Sequence, residues 1–320
     1  MKRFVAALVA VIAGIVLAPG VHAQEKTNLS IGTGGTGGVY YPLGGGMANI
    51  LSKHLPNVRA TAEVTGASVD NMRLIGAGRQ DFGFTMADTA LDASKGVDRF
   101  RGQPVPARTL MVLYPNRMHV VTVESTGIKK FADLKGKRVS VGSPGSGTEI
   151  TALRVLEANN MISEVKRERL SVAESVNALK DRKIDAFFWV GGLPTAAVTD
   201  LAATPGTKIV MIDHAEALAE MNRRYDGLYA KDIIPKGTYS GQDRDNQVIA
   251  VWNILATNEK MSEKMAYDIV KTLFENKPDL VAVHKEAENI DLKRQIQQYS
   301  PIPFHPGAIK YFAEKGVKVK

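Results

Sequence analysis

The sequence predicts an α/β protein with two lobes, each a mixed, mostly parallel sheet flanked by helices. Strand-like and helix-like segments alternate along the chain, which is typical of parallel sheets covered on both faces. A unit of strand, glycine loop and helix occurs twice, and two consecutive β-rich runs between the two series indicate a crossing from one lobe to the other. The chain has 320 residues, 44% hydrophobic and 23% charged, so each lobe can bury a core.

The first 23 residues have the pattern of an export signal. Lys2 and Arg3 precede an apolar run over 4–18, and residues 21–23 (VHA) form a small-x-small cleavage site. The apolar run is shorter than the roughly 20 residues that a membrane-spanning helix needs. We expect a signal peptide at 1–23, cleaved after Ala23, and a periplasmic mature protein. A retained membrane anchor is the alternative.

Composition excludes several kinds of site. The chain contains no cysteine, so it has neither disulfides nor thiolate metal ligands. The formal net charge is +8, and removal of Lys2 and Arg3 with the signal peptide would leave +6. This surplus is spread along the chain without a block of basic residues, so we expect small anionic solutes as ligands and no nucleic acid. We also expect a monomer.

The first lobe is predicted over 24–117. After each strand, apolar residues recur at helical spacing, and Pro42 suits the first position of the first helix. Ser68 is predicted to cap the second helix. The strands are expected at 28–32, 58–64 and 81–86.

The second lobe is predicted over 118–247, and residues 248–320 return to lobe 1 and end in helices. Pro115 and Asn116 are expected to break the β-rich stretch that crosses between the lobes. The segment from Ser146 to Glu149 fits a capping box at the start of a helix over 148–159. The remaining strands are expected at 138–141, 186–190, 208–212 and 248–256.

The glycine loop "IGTGGTGGVYYPLGGG", residues 31–46, admits two interpretations. Gly32, Gly34 and Gly37 satisfy G-x-G-x-x-G after a strand, and Glu63 lies where a ribose-binding acid is expected, which predicts a dinucleotide site. Alternatively, helix N-termini expose free amides and the positive end of the helix dipole, so they hold carboxylates as readily as phosphates. Two such turns, one from each lobe, would face each other across a cleft at the carboxyl ends of the strands.

No set of catalytic residues emerges. Neither Ser143 nor Ser146 lies in G-x-S-x-G. The histidines of the mature chain are dispersed without the spacing of a metal site: His54, His119, His214, His284 and His305. We therefore expect a binding protein without metal or cofactor, and no enzyme.

Six segments resemble, in order, the TAXI family of solute receptors that serve TRAP transporters. They are "GTGGTGGVYYPLGG", "GASVDNMRLI", "FGFTMAD", "LKGKRVSVGSPGSGTE", "DAFFWVGGLPTAAV" and "IPFHPGAIKYF". The resemblance covers essentially the whole mature chain, although Gly38 and Val39 before the two tyrosines depart from the family pattern. It implies a two-lobed periplasmic binding protein fold of type II, with the ligand cleft between the lobes. It also implies a carboxylate-bearing solute such as glutamate or a dicarboxylate, and delivery to an ion-driven TRAP permease in the membrane.

The resemblance also implies which residues contact the solute. Those of the first lobe are Thr33, Gly34, Gly35, Tyr40, Tyr41, Ser68 and Asn71. Those of the second lobe are Ser143, Gly145, Ser146, Gly147, Thr148, Trp189 and Gly191. By type, amides and hydroxyls would take the carboxylate and aromatic rings would exclude water.

Some of these residues have structural alternatives. Adjacent side chains diverge, so one of Tyr40 and Tyr41 is expected to contact the solute. Ser68 and Ser146 also suit helix caps, and Trp189 suits a core. The sequence identifies neither the solute nor an arginine for a second acidic group, for which the candidates are Arg73, Arg79 and Arg117.

Overall fold

The computed structural model describes residues 26–319, so the predicted signal peptide lies outside the described residues. The strands are β1 (Thr27–Gly32), β2 (Val58–Glu63), β3 (Phe82–Met86), β4 (Ala107–Val123), β5 (Arg138–Ser140), β6 (Lys166–Glu168), β7 (Ala186–Gly191), β8 (Ile209–Met211), β9 (Ala230–Ile234) and β10 (Asn246–Asn258). The α-helices are α1 (Tyr40–His54), α2 (Ser68–Gly76), α3 (Ala87–Lys95), α4 (Gly147–Ala158), α5 (Val172–Lys180), α6 (Ala196–Ala203), α7 (Leu218–Arg224), α8 (Glu263–Glu275), α9 (Lys277–Val283) and α10 (Pro306–Glu314). Between residues 26 and 319, no helix is both long enough and apolar enough to span a bilayer.

The strands form a mixed sheet in the order β2-β1-β3-β10-β4-β7-β5-β6, with β8 paired to β4 and β9 to β10. β1 runs parallel to β2 and β3, and β5 runs parallel to β6 and β7. The long strands β4 and β10 are antiparallel to their neighbours. The predicted α/β class, with two mostly parallel groups of strands, is confirmed.

Two strands cross from one group to the other. The first part of β4 pairs with β10, while its last part, from Arg117, pairs with β7 and β8. In turn β10 pairs with β9 at its start and with β3 at its end. We call lobe 1 the part built on β1, β2, β3 and the adjoining parts of β4 and β10. Lobe 2 is the part built on β5 to β9 and the other parts of the crossing strands.

The prediction that β4 breaks at Pro115 is wrong. The strand is continuous, and Pro115 pairs with Trp252 of β10. A register shift between Trp252 and Ile254 lies beside this pair. Such an irregularity tolerates a residue that lacks an amide proton.

Each lobe has a core of its own. In lobe 1, buried residues such as Leu43, Met47 and Phe84 belong to one large cluster. In lobe 2, the neighbours Phe187 and Phe188 of β7 belong to two different clusters. Successive side chains of a strand point to opposite faces, so this sheet is buried on both sides, which accounts for the continuous apolar run of β7.

Three local predictions need correction. α1 begins at Tyr40, so Pro42 is its third residue rather than its first. Ser68 is the first residue of α2 and not its cap, and its hydroxyl accepts a hydrogen bond from the Met86 amide. Ser146 caps α4 as expected, but no capping box forms, because the Glu149 carboxylate pairs with Arg169 at 2.7 Å.

Candidate functional site

A cavity of about 340 Å³ lies between the lobes. Lobe 1 and the crossing strand contribute residues 34–40, 64–68, 86, 114 and 116. Lobe 2 contributes residues 142–143, 146–148, 171–174 and 189–191. The cavity is thus enclosed by segments far apart in sequence, and both glycine-rich turns reach it.

Five helices begin at this cavity. The residues before α1, α2, α3, α4 and α5 all line it, and they are Val39, Ala67, Met86, Ser146 and Ser171. The N-terminal end of a helix carries about half a positive charge and free amide protons. Three helices of lobe 1 and two of lobe 2 therefore direct positive potential into one space, which suits an anionic ligand.

The helix starts of the two lobes differ in how they are capped. In lobe 2, the hydroxyls of Ser146 and Ser171 accept hydrogen bonds from amides of α4 and α5 at 3.1 and 3.3 Å. In lobe 1, neither α1 nor α2 has a side-chain cap. The amides of Val69 and Asp70 in α2 donate instead to the Gly145 carbonyl of lobe 2, at 3.1 and 3.2 Å. The start of α2 is thus completed by the opposite lobe.

Ala67, which precedes α2, has an unusual backbone conformation. Its φ is 78° and its ψ is −140°, a combination that L-residues rarely adopt. Backbone strain of this kind persists where the surrounding structure enforces it, and it clusters at binding and catalytic sites. The strained residue lines the cavity.

Aromatic and amide side chains form one wall. The Tyr40 hydroxyl donates to Asn253 Oδ1, and Asn116 Nδ2 donates to the same oxygen at 2.6 Å. Trp189 donates from Nε1 to the Thr195 hydroxyl at 2.8 Å, which orients its ring beside the cavity. Tyr114 completes this wall. These hydrogen bonds hold the rings of Tyr40 and Trp189 in place beside the cavity.

The described lining contains one charged side chain, Glu174, and no lysine, arginine or histidine. None of the three candidate arginines is among the lining residues that the structure describes. Arg117 pairs with Asp232 at 2.9 Å and Glu286 at 3.3 Å, Arg73 donates to a backbone carbonyl near the surface, and Arg79 is exposed. Binding of an anion here would depend on amides, hydroxyls and helix dipoles.

The structure brings most of the predicted contact residues to the cavity. Those that line it are Gly34, Gly35, Tyr40, Ser68, Ser143, Ser146, Gly147, Thr148, Trp189 and Gly191. Their contact with a solute stays a prediction.

Four predicted contact residues lie outside the cavity. Thr33 is buried and donates to the Glu63 carbonyl, and Asn71 donates to the carbonyls of Thr33 and Phe84, so both hold the loop from behind. Tyr41 points away from the lining and is 38% exposed. Gly145 lies at the contact between the lobes, where a Cβ would meet the Asp70 carboxylate.

Several lining residues escaped the sequence analysis. Tyr114 and Asn116 stand beside a proline at the expected strand break, where nothing in the local pattern marks a cavity. Met86 ends a strand and is buried. Ser171 and Glu174 form a complete capping box, so the S-x-x-E spacing would have identified that helix start.

The glycine pattern of the first turn is explained by packing within the protein. A Cβ on Gly32 would overlap Gln80, which belongs to the same lobe. A Cβ on Gly37 would lie 3.2 Å from Ala173 and Ala197 of lobe 2. The Gly37 carbonyl also accepts a hydrogen bond from the Ala197 amide. Packing within the protein therefore accounts for Gly32 and Gly37 without a dinucleotide.

A buried ionic cluster joins the lobes near the cavity. Arg154 of lobe 2 lies 2.5 Å from Asp92 and 3.7 Å from Asp88, both on α3 of lobe 1. Asp88 also accepts hydrogen bonds from the hydroxyls of Thr151 and Tyr229. We call Arg154, Asp88 and Asp92 the interlobe cluster. These direct contacts indicate a closed arrangement of the lobes.

The interlobe cluster gives a pH dependence. Burial raises the pKa of Asp92 from 3.8 to about 7, against the opposing attraction of Arg154. Between these two values the folded chain keeps a proton on Asp92 that the unfolded chain releases. The contribution of Asp92 to the free energy of unfolding is therefore complete below about pH 4 and is lost as the pH rises through about 7. We expect Asp92→Asn, which does not ionise, to gain stability relative to wild type between about pH 5 and about pH 8 in urea unfolding.

The exposed Asp243 supplies the control for this experiment. Asp243→Asn makes the same chemical change on the surface, outside the interlobe cluster, and measures the effect of the substitution itself. An Asp92→Asn difference that does not change with pH would show that Asp92 keeps an ordinary pKa.

Among residues 26–319, no group of three or more histidine, aspartate and glutamate side chains is arranged to hold a metal ion.

Comparison with known proteins gives a family and a fold. The model of the NMT1-like family matches residues 31–316. The crystal structure of Tv2483 bound to L-arginine is similar with a TM-score of 0.51 and 14% identity, over 82% of this chain and 90% of that one. A putative L-cystine ABC transporter protein from Listeria monocytogenes has a TM-score of 0.50 and 15% identity, over 82% and 95% of the two chains.

A third similar structure comes from work on glutathione import via GshT and the cystine ABC importer TcyBC of Streptococcus mutans. It has a TM-score of 0.50 and 13% identity, over 83% of this chain and 96% of that one. At such identities these likenesses establish the shared two-lobed fold.

Proposed function

The chain belongs to the NMT1-like family, and we propose that it is a periplasmic solute receptor that binds a small carboxylate-bearing molecule between its lobes and presents it to a membrane permease. One observation carries the proposal: five helix N-termini, three from lobe 1 and two from lobe 2, begin at a single cavity. The similar structures, one bound to L-arginine and two linked to ABC importers, support a receptor rather than an enzyme.

The proposed mechanism is closure of the lobes around the solute. Hydrogen bonds to a charged group are worth about 1.5 to 3 kcal/mol each. A few from each lobe would supply the roughly 8 kcal/mol of a micromolar complex. Contacts from both lobes form together only in the closed state, so the solute shifts the equilibrium towards that state.

The partner is proposed to be an ion-driven TRAP permease of the TAXI type, on the strength of the sequence motifs. The names of two similar structures, both linked to ABC importers, support an ATP-driven partner as the second candidate. Uptake measurements separate the two. Collapse of the ion gradient would stop transport by the first, and depletion of ATP would stop transport by the second.

The two tryptophans offer a direct test of binding. Trp189 lines the cavity, whereas Trp252 packs against Tyr299 with ring centroids 4.3 Å apart. We expect titration with the carboxylate that copurifies with the native protein, identified by mass spectrometry, to change the fluorescence of Trp189 with one-to-one stoichiometry. The change should persist in Trp252→Phe and vanish in Trp189→Phe.

Two results would count against this proposal. One is a fluorescence change that survives Trp189→Phe, since the solute would then bind elsewhere. The other is a response to NAD but to no small carboxylate, which would favour the dinucleotide hypothesis for Gly32, Gly34 and Gly37.

A further inference from the structure

Two polar atoms in the wall of the cavity are buried without a hydrogen-bond partner. They are the hydroxyl of Tyr114 and Oδ1 of Asn116, and both residues are 0% exposed. The two residues are separated by one position on β4, so their side chains point to the same face of the strand. Both line the cavity.

The neighbouring hydrogen bonds determine what each atom can do. Asn253 Oδ1 accepts from the Tyr40 hydroxyl and from Asn116 Nδ2, so the amide nitrogen of Asn116 faces Asn253. Its oxygen is left to accept one more hydrogen bond. Burial raises the pKa of Tyr114 well above its ordinary value, so its hydroxyl keeps a proton to donate.

Buried polar atoms without partners are rare in proteins because their desolvation is uncompensated. A ligand group that both donates and accepts would satisfy this pair at once. A carboxylate would not, because it is acceptor-only when ionised and its oxygens would face the acceptor of Asn116. Other described side chains of the lining, such as Met86 and Val190, are apolar and would not stabilise a second negative charge.

We propose that Tyr114 and Asn116 recognise a neutral hydroxyl or carboxamide of the solute, which donates to Asn116 Oδ1 and accepts from the Tyr114 hydroxyl. This inference rests on the proposed function, because the single acidic group of the solute is assigned to the helix N-termini. The solute is thus a monocarboxylate with a neutral hydrogen-bonding group at its other end, and glutamate and dicarboxylates are disfavoured.

Matched acids test this proposal. Butyrate, valerate and phenylacetate serve as parents, each compared with its hydroxy, carboxamide and carboxylate derivative at the far end, and affinities are measured by calorimetry. In at least one series we expect the hydroxy or carboxamide member to bind about tenfold or more tightly than both the parent and the dicarboxylate.

The variant Tyr114→Phe tests whether the preference for a neutral polar end arises at Tyr114. It removes a hydroxyl that has no partner in the protein, so the fold should be retained, and thermal unfolding checks this. We expect about tenfold weaker binding of the preferred acid and unchanged binding of its parent. Tyr299→Phe makes the same change away from the cavity and should alter neither affinity.

Three outcomes are decisive. Preference for a neutral polar end that Tyr114→Phe removes supports the inference. Binding of a dicarboxylate or parent acid as tightly as the neutral polar member, or an unaltered preference in Tyr114→Phe, overturns the inference and leaves the receptor intact. Binding of no acid in any series overturns the receptor proposal and the inference with it.

Discussion

Replacing Arg154 with methionine is expected to open the lobes. Methionine keeps much of the side-chain volume of arginine. It removes the cation of the interlobe cluster, so the buried Asp88 and Asp92 lose their charged partner. Removing one partner of a buried ion pair costs about 3 to 5 kcal/mol. Because the partners lie on different lobes, opening relieves this cost by hydrating both carboxylates.

The expected result is a larger radius of gyration in small-angle scattering and solute affinity weaker by about a hundredfold or more. Lys95 provides a matched control, because it also pairs across the lobes, with Asp226 at 2.9 Å, but both side chains are about half exposed. Lys95→Met should change affinity by less than about 1 kcal/mol. An Arg154→Met protein as compact as wild type, with unchanged affinity, would show that the interlobe cluster does not hold the lobes together.

Replacing Gly147 with valine is expected to abolish solute binding while the lobes still fold. Gly147 is the first residue of α4, and a Cβ there would overlap Met86 and lie 2.8 Å from the Ser68 hydroxyl. Both neighbours belong to lobe 1, so the added side chain holds the lobes apart and occupies the cavity. We expect affinity to fall at least a hundredfold, equivalent to about 3 kcal/mol, in calorimetry.

Gly45→Ala is the control for this substitution. Gly45 lies within α1, and a Cβ there would meet no atom within 4 Å. That change should leave affinity unaltered and stabilise the helix by up to about 1 kcal/mol. Wild-type affinity in Gly147→Val would exclude the start of α4 from the binding site.

Much of the fold follows from local signals. Alternating strand and helix patterns with glycine-rich turns between them predict both lobes, and most predicted strand limits lie within two residues of those observed. The continuity of β4 could not be predicted in this way. Whether a strand tolerates Pro115 depends on its pairing with Trp252, a residue far along the chain.

The candidate site likewise combines residues that local sequence signals mark with residues whose roles depend on the rest of the fold. Ser68, Ser146 and Gly147 stand at helix starts, which the sequence marks through glycine and hydroxyl residues. Asn71 resembles a ligand contact by type, but it holds the first glycine loop through two backbone carbonyls. The roles of Tyr114 and Asn116 depend on which of their hydrogen bonds the rest of the fold satisfies, and sequence spacing does not encode that.

The position of β10 between β3 and β4 has a consequence for the order in which the native structure forms. Strands β1 to β9 all precede β10 in the chain. The group β1–β3 is joined to β4 only when the second half of β10 pairs with β3 on one side and β4 on the other. A nascent chain that has not yet released residue 258 therefore exposes two open sheet edges, which are templates for aggregation.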